Sequence, residues 1–327
     1  MGTSKKTWVK KLLIALAVIV VIVAGGLAFA GNYLVNYALT PETKLERDSL
    51  LEQEFAKLEE NYAYQADWLK DARARLQDTV IVSETDGSRL HGWYLKSLQP
   101  SNKVAMLVHG YKDNALRMLG VGHVYADSLG YNLILPDLHA HGLSEGDYIQ
   151  MGWLDRLDVK QWVEFAPALL GIDPDSTEIV VHGISMGAAT TMMLSGEELP
   201  ATVKCFVEDC GYTSVWEEYV GQLKEQFGLP EMPLLYIASQ VCQLRCGWSF
   251  KEASAIEAVK RCQLPMMFIH SDADTFVPFA MMEPLYQAKS EPKEKWVTKD
   301  SSHAKSLKDH YEEYEPKVAA FVGQYIK

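Results

Sequence analysis

The chain has 327 residues, of which 48% are hydrophobic and 23% are charged. This composition is typical of a globular protein with a full hydrophobic core, and it excludes the disordered and fibrous classes. The formal net charge of −12 disfavours the phosphate backbone of nucleic acids as a ligand, so we expect no nucleic-acid partner.

The first predicted element is an apolar segment, residues 12–30, that contains no charged side chain. At about 1.5 Å per residue, a helix of this length is about 28 Å long, close to the ~30 Å hydrocarbon core of a bilayer. We therefore predict a transmembrane anchor. All the charges before it are lysines: Lys5, Lys6, Lys10 and Lys11.

This charge pattern predicts the orientation of the anchor. By the positive-inside bias, residues 1–11 are cytoplasmic and the rest of this single-pass protein is extracellular. The alternative is a signal peptide that is cleaved after Ala30, because Ala28-Phe29-Ala30 resembles a small-x-small cleavage site. In that case the protein is secreted.

Residues 31–78 are rich in charge, and their apolar positions are mostly three to five residues apart. This spacing predicts an amphipathic stalk helix. Because no Gly/Ser linker follows it, we expect the helix to pack on the next domain. The apolar residues that set the spacing are Leu45, Leu50, Leu51, Phe55, Leu58 and Tyr62.

Residues 79–327 alternate short apolar runs with helix-like stretches, as in an α/β domain. Asp86-Gly87 suits a tight turn between the first two runs, which predicts a hairpin. The other runs are continuously hydrophobic, so we expect a mostly parallel central sheet flanked by helices on both faces. The predicted strands are 79–85, 90–95, 104–108, 131–136, 178–182, 203–207, 266–269 and 295–298.

One interval between predicted strands, residues 212–262, is too long for a single crossover helix. It is rich in aromatic and aliphatic residues. We interpret it as a small helical lid, which would cover a ligand at the carboxyl edge of the sheet.

The motif Gly183-Ile184-Ser185-Met186-Gly187 follows a predicted strand and precedes small, helix-compatible residues. This context is typical of a nucleophile elbow, in which glycines permit the tight turn that presents the serine hydroxyl. The sequence therefore predicts Ser185 as a catalytic nucleophile.

A serine nucleophile needs a base that is oriented by a carboxylate. Asp274 follows the predicted strand 266–269 and His303 follows the next one, 295–298, so the chain order is Ser, Asp, His, as in α/β-hydrolases. Asp209, one strand earlier, is the alternative acid. His310 is the alternative base, although its position in an amphipathic segment favours a structural role.

These motifs resemble the α/β-hydrolase superfamily, in particular its exported or membrane-anchored bacterial members of esterase or lipase-like type. His270-Ser271-Asp272-Ala273-Asp274-Thr275-Phe276-Val277-Pro278 matches the family's His-Gly-x-x-Asp-x-x-Val-Pro motif except at Ser271, and the match selects Asp274 over Asp272. The resemblance also implies an oxyanion hole formed by the backbone N–H groups of Tyr111 and Met186.

A second histidine-rich stretch, Asp137 to Gly146, could suggest a metal site. It resembles a structural loop of the family, and two loop histidines lack the further ligands of a zinc site. We expect no metal and no organic cofactor.

The predicted function is a serine hydrolase that cleaves a small-molecule or lipid-like carboxylic ester through an acyl-enzyme. Two other enzymatic functions stay open, a prolyl-oligopeptidase-like serine peptidase and a thioesterase. A protein that only binds a ligand on a hydrolase fold is the non-enzymatic alternative.

Overall fold

A computed structural model describes residues 2–327, with the side chains from residue 7 onward. Its strands lie in one sheet with the order β1-β2-β4-β3-β5-β6-β7-β8. The pairs β1–β2 and β2–β4 are antiparallel, whereas the other neighbours are parallel. The bounds are β1 (Gln77–Val82), β2 (Arg89–Leu95), β3 (Lys103–Val108), β4 (Asn132–Pro136), β5 (Glu178–Ile184), β6 (Val203–Asp209), β7 (Met266–Ser271) and β8 (Lys293–Thr298).

Helices cover both faces of this sheet. They are α1 (Gly2–Leu39), α2 (Arg47–Asn61), α3 (Ala66–Arg75), α4 (Leu119–His123), α5 (Asp155–Leu170), α6 (Met186–Leu194), α7 (Val215–Phe227), α8 (Leu234–Cys246), α9 (Ala255–Val259), α10 (Met282–Ala288), α11 (Ser306–Asp309) and α12 (Tyr311–Tyr325). The predicted mostly parallel sheet with flanking helices is confirmed.

The core consists of two apolar layers, one on each face of the sheet. Alternate side chains of a strand point to opposite faces, and in β5 Val180 belongs to one layer and Val181 to the other. The helices α2, α3, α4 and α12 cover the Val180 face, whereas α5, α6, α9 and α10 cover the Val181 face. This double cover explains why the central strands are apolar along their whole length.

The first helix, α1, contains a segment, Thr7–Leu39, that is long and apolar enough to cross a membrane. The mean hydropathy of its most apolar window is 3.0, and none of that window is buried against the rest of the protein. A transmembrane span and a signal sequence both have these properties.

The structure differs from the single helix predicted over residues 31–78. Residues 31–39 continue α1, residues 40–46 have no regular structure, and α2 and α3 follow. Pro41 accounts for the first break, because proline disfavours a helical conformation at the preceding residue. Both later helices pack on the sheet, through Phe55 of α2 and Leu69 of α3 among other residues.

Candidate active site

The turn between β5 and α6 places Ser185 at the carboxyl edge of the sheet. Ser185 has φ 58° and ψ −121°, a conformation that non-glycine residues rarely adopt. A Cβ atom on Gly183 would lie 2.1 Å from the carbonyl oxygen of Gly187, and one on Gly187 would lie 2.0 Å from that of Val108. Both glycines are therefore required by the close approach of the backbone.

Three side chains that the sequence analysis selected meet at this edge. Ser185 Oγ lies 2.7 Å from Nε2 of His303, and Nδ1 of the same ring lies 2.7 Å from Oδ2 of Asp274. Asp274 follows β7 and His303 follows β8. Because β5, β7 and β8 are parallel, their carboxyl ends bring these loops together.

The carboxylate of Asp274 is held on both oxygens. Oδ1 accepts hydrogen bonds from the backbone N–H groups of Phe276 and Val277, at 3.0 and 3.2 Å. Oδ2 faces His303 and also lies 3.3 Å from Nε2 of His270. Burial raises the pKa of Asp274, but the hydrogen bonds from the two imidazoles outweigh it and hold the pKa at about 2. Asp274 is therefore ionised near neutral pH.

The alternative residues occupy other environments. Asp209 is buried and accepts a hydrogen bond from the hydroxyl of Tyr314 at 2.9 Å, and burial raises its pKa to about 6. Asp272 pairs with Lys299 at the surface, at 2.7 Å. His310 contacts the backbone oxygen of Lys299, also at 2.7 Å. Among these carboxylates, Asp274 is the one hydrogen-bonded to His303.

The two residues predicted to form the oxyanion hole flank the serine. Met186 is the first residue of α6, where backbone N–H groups have no acceptor within the helix. Tyr111 lies on the loop after β3, and a Cβ atom on the preceding Gly110 would be 3.4 Å from Cβ of Ser185. Tyr111 and Met186 line the same cavity as Ser185.

That cavity, of about 250 Å³, is mostly apolar. Its walls come from the end of α1, from α7 and α8, and from the loop after β7. Leu34, Tyr37, Tyr219, Leu235, Phe250 and Phe276 are among the lining residues. The interval predicted as a lid, 212–262, contains α7, α8 and α9, and residues of α7 and α8 line this cavity together with Ser185.

A second cavity, of about 500 Å³, is also lined by Ser185 and includes His303. Its wall carries more basic than acidic side chains, although the whole chain is acidic. Two of the basic residues are partly neutralised, since Lys57 pairs with Glu54 at 2.6 Å and Arg117 with Asp113 at 3.1 Å. The basic residues of this wall are Lys57, Arg117, Lys305 and Lys308.

Comparisons with known proteins agree with this fold. No model of a protein family matches the chain. The esterase Pf2001 of Pyrococcus furiosus is 25% identical and superposes with a TM-score of 0.62, which covers 79% of this chain and 96% of the esterase. The chain is a serine hydrolase of the α/β-hydrolase superfamily.

Two further relatives are similar in sequence. The uncharacterized protein YqkD of Bacillus subtilis is 25% identical over 319 residues, which cover 96% of this chain and 97% of YqkD. The lysophosphatidylserine lipase ABHD12 of Danio rerio is 24% identical over 217 residues, which cover 62% of this α/β-hydrolase and 51% of the lipase.

The histidine-rich loop, Asp137 to Gly146, is hydrogen-bonded to other parts of this α/β-hydrolase. Nδ1 of His139 lies 3.0 Å from the backbone oxygen of Tyr148, and its Nε2 lies 2.9 Å from Oδ2 of Asp86. His141 Nε2 accepts a hydrogen bond from the backbone N–H of Lys112, at 3.2 Å, on the loop that continues from Tyr111. The ring nitrogens of both histidines are therefore engaged within the domain.

Sequence analysis missed the contribution of α1 to the cavity. Leu34, Tyr37 and Ala38 were assigned to a stalk, yet they face the site. The available signal was a change of pattern after residue 30, where Asn32 and Asn36 interrupt the apolar run four residues apart, on one helical face. Polar residues at this spacing indicate a helical face that contacts protein.

Proposed function

We propose that this α/β-hydrolase cleaves carboxylic esters with an apolar acyl group. In this proposal Ser185 is the nucleophile, His303 the general base and Asp274 the acid of the triad. The observation that carries the proposal is the pair of 2.7 Å contacts that joins the three side chains, with Ser185 in the wall of an apolar cavity.

The reaction has two halves. Ser185 Oγ attacks the ester carbonyl carbon while His303 Nε2 accepts its proton, and the ionised Asp274 stabilises the imidazolium. The backbone N–H groups of Tyr111 and Met186 stabilise the negative oxygen. His303 then protonates the leaving alcohol, which departs. Water, deprotonated by His303, attacks the acyl-enzyme; His303 then returns this proton to Ser185 Oγ as the carboxylic acid is released. No step uses a metal or an organic cofactor.

The two cavities suggest how an ester lies in the site. The acyl group fits the apolar cavity, because a mostly apolar wall favours burial of hydrocarbon. The alcohol part then faces the basic side chains of the second cavity, which favour an anionic group. The relatives support this choice, since one is an esterase and another a lysophosphatidylserine lipase.

We also propose the topology inferred from the sequence. Residues 12–30 span the cell membrane, residues 1–11 are cytoplasmic, and the catalytic domain, residues 79–327, is extracellular. Protease treatment of intact cells should then degrade the domain while carbonate washing leaves it on the membrane. A culture fluid that contains the active enzyme with Gly31 as its first residue would instead establish cleavage after Ala30.

A substrate panel tests the proposed chemistry. Wild type should react with a fluorophosphonate probe and hydrolyse p-nitrophenyl esters faster than aminoacyl-nitroanilides or acyl thioesters. Ser185→Ala should lose labelling and turnover, whereas Ser176→Ala, an exposed serine before β5, should keep both. Faster cleavage of the nitroanilides would assign a peptidase, and faster cleavage of the thioesters a thioesterase.

A further inference from the structure

The last turns of α1 form part of the wall of the apolar cavity. Leu34, Tyr37 and Ala38 line it, while Val35 and Leu39 are buried against the core. The backbone oxygen of Ala38 accepts a hydrogen bond from the Tyr111 hydroxyl at 2.7 Å. The helix that carries the apolar span is therefore also an element of the candidate active site.

The cavity lies very close to the membrane in the proposed topology. The apolar span ends at Ala30, and Leu34 and Ala38 follow four and eight residues later. At 1.5 Å per residue this corresponds to about 6–12 Å along the helix. The polar layer on each side of a hydrocarbon core is about 5–8 Å thick. The wall of the cavity therefore begins at the depth of the lipid headgroups.

Apolar side chains around the mouth of the cavity remain exposed. They form what we call the apolar rim, which consists of Tyr33 and Tyr37 of α1 together with residues of α7, α8 and their connection: Phe227, Leu229, Met232 and Tyr236. The rings of Tyr37 and Phe227 meet edge to face at 5.4 Å. Both rings also line the cavity, although they are 51% and 38% exposed. The apolar surface is thus continuous with the cavity interior.

The rim is held firmly on α1. Arg245 of α8 donates hydrogen bonds to the side-chain oxygens of Asn32 and Asn36, each at 2.7 Å. A Cβ atom on Gly31 would lie 2.7 Å from Cγ2 of Ile237, so the two helices are in close contact. The position of α1 in a bilayer therefore fixes the position of α8 and the rim.

We propose that the apolar rim lies in the bilayer surface and that the acyl chain of a membrane-resident ester passes along it into the cavity. The occupant of this surface is lipid, because the rim is continuous with the helix that carries the span. Exposed apolar side chains of this kind favour the interface between headgroups and acyl chains. The inference rests on the proposed ester hydrolase function, and it identifies the substrate as an amphiphile taken from the membrane.

The test uses full-length enzyme in phosphatidylcholine vesicles with two esters. One is 4-methylumbelliferyl palmitate dissolved in the bilayer, and the other is soluble p-nitrophenyl acetate. Leu229→Ser combined with Met232→Ser changes rim residues that do not line the cavity. We expect this variant to hydrolyse the bilayer ester at least tenfold more slowly and the soluble ester within twofold of wild type.

The control is Leu98→Ser, which also removes an exposed apolar side chain but lies after β2, before the amino end of β3 and away from Ser185. It should leave both rates unchanged. A rim variant that cleaves the bilayer ester at the wild-type rate would overturn the inference while the ester hydrolase function stands. A wild-type enzyme that cleaves neither ester would contradict the proposed function itself, and the inference with it.

A second readout does not depend on activity. Met232→Cys can be labelled with an environment-sensitive fluorophore, because the five native cysteines are buried. In vesicles, its emission should lie at shorter wavelength than the emission of the same fluorophore on Leu98→Cys, a surface position away from the rim. Equal emission from the two labelled positions would show that the rim faces water and would refute the proposal.

Discussion

Replacing Asp274 by asparagine tests the candidate triad most directly, because the two oxygens of this carboxylate have different partners. Oδ1 accepts hydrogen bonds from two backbone N–H groups, those of Phe276 and Val277. Oδ2 faces Nδ1 of His303. In Asp274→Asn one of these two positions becomes an NH₂ group, which can only donate.

The neighbouring backbone N–H groups determine which of the two positions the NH₂ group occupies. An NH₂ group at Oδ1 would face two backbone donors at hydrogen-bond distance, whereas at Oδ2 it faces His303 and, at the longer distance of 3.3 Å, His270. We therefore expect the asparagine oxygen at the Oδ1 position and the NH₂ group next to His303. The imidazole must then accept through Nδ1 and carry its proton on Nε2. Nε2 is the atom 2.7 Å from Ser185 Oγ, and once protonated it cannot accept the serine proton.

We therefore expect kcat to fall by about 10³–10⁴-fold without a change of fold, as when the corresponding aspartate of a serine protease is replaced. This corresponds to about 4–5.5 kcal/mol of activation free energy. Initial rates with p-nitrophenyl butyrate measure it, with thermal unfolding to verify the fold. Asp272→Asn, at the surface, should keep the wild-type rate. If instead kcat falls by this factor in Asp209→Asn while Asp274→Asn retains most activity, the assignment of Asp274 as the triad acid is wrong.

Three further changes have defined outcomes. Gly187→Ala places a Cβ atom against backbone, so we expect less soluble protein and a melting temperature several degrees lower, measured by circular dichroism. Burial raises the pKa of Glu208 from 4.5 to about 8, so its contribution to stability is complete below about pH 4.5 and is lost as the pH rises through 8. Urea unfolding at pH 5 and 8 should show a smaller loss of stability for Glu208→Gln than for wild type, by up to about 1.4 kcal/mol per pH unit for one proton. Lys305→Gln combined with Lys308→Gln should raise KM several-fold for an ester with a phosphate in its alcohol part. The same variant should leave KM for the neutral p-nitrophenyl ester unchanged. Equal changes of KM for both esters would contradict a preference for an anionic alcohol part.

The parts of the fold that sequence predicted well are those with local causes. Each of the predicted strands is present. The central strands were recognisable because a strand buried on both faces needs an uninterrupted apolar run. The elbow at Ser185 was recognisable because its glycines are required within a few residues of the serine. Asp274 and His303 could be chosen because parallel strands place their following loops at one edge of the sheet.

The features that sequence did not reveal depend on contacts between distant residues. The basic wall of the second cavity combines Lys57 of α2 with Lys308 of α11, which are far apart in the chain. Similarly, nothing local marks Tyr37 as a neighbour of Phe227. Such pairings follow from how helices pack on the finished sheet, and a pattern read within one segment does not contain that information.

The unbroken course of α1 has a mechanical consequence. A membrane-spanning helix changes its tilt when the bilayer becomes thicker or thinner, so that its apolar length continues to match the hydrocarbon core. Here one continuous helix runs from Gly2 to Leu39, and the backbone oxygen of its penultimate residue, Ala38, accepts a hydrogen bond from the hydroxyl of Tyr111. In the proposed topology the helix is continuous from the span to this hydrogen bond, so a change of its tilt would move the loop that carries Tyr111. In the proposed topology, the thickness of the bilayer would thereby influence the rate of the proposed hydrolysis.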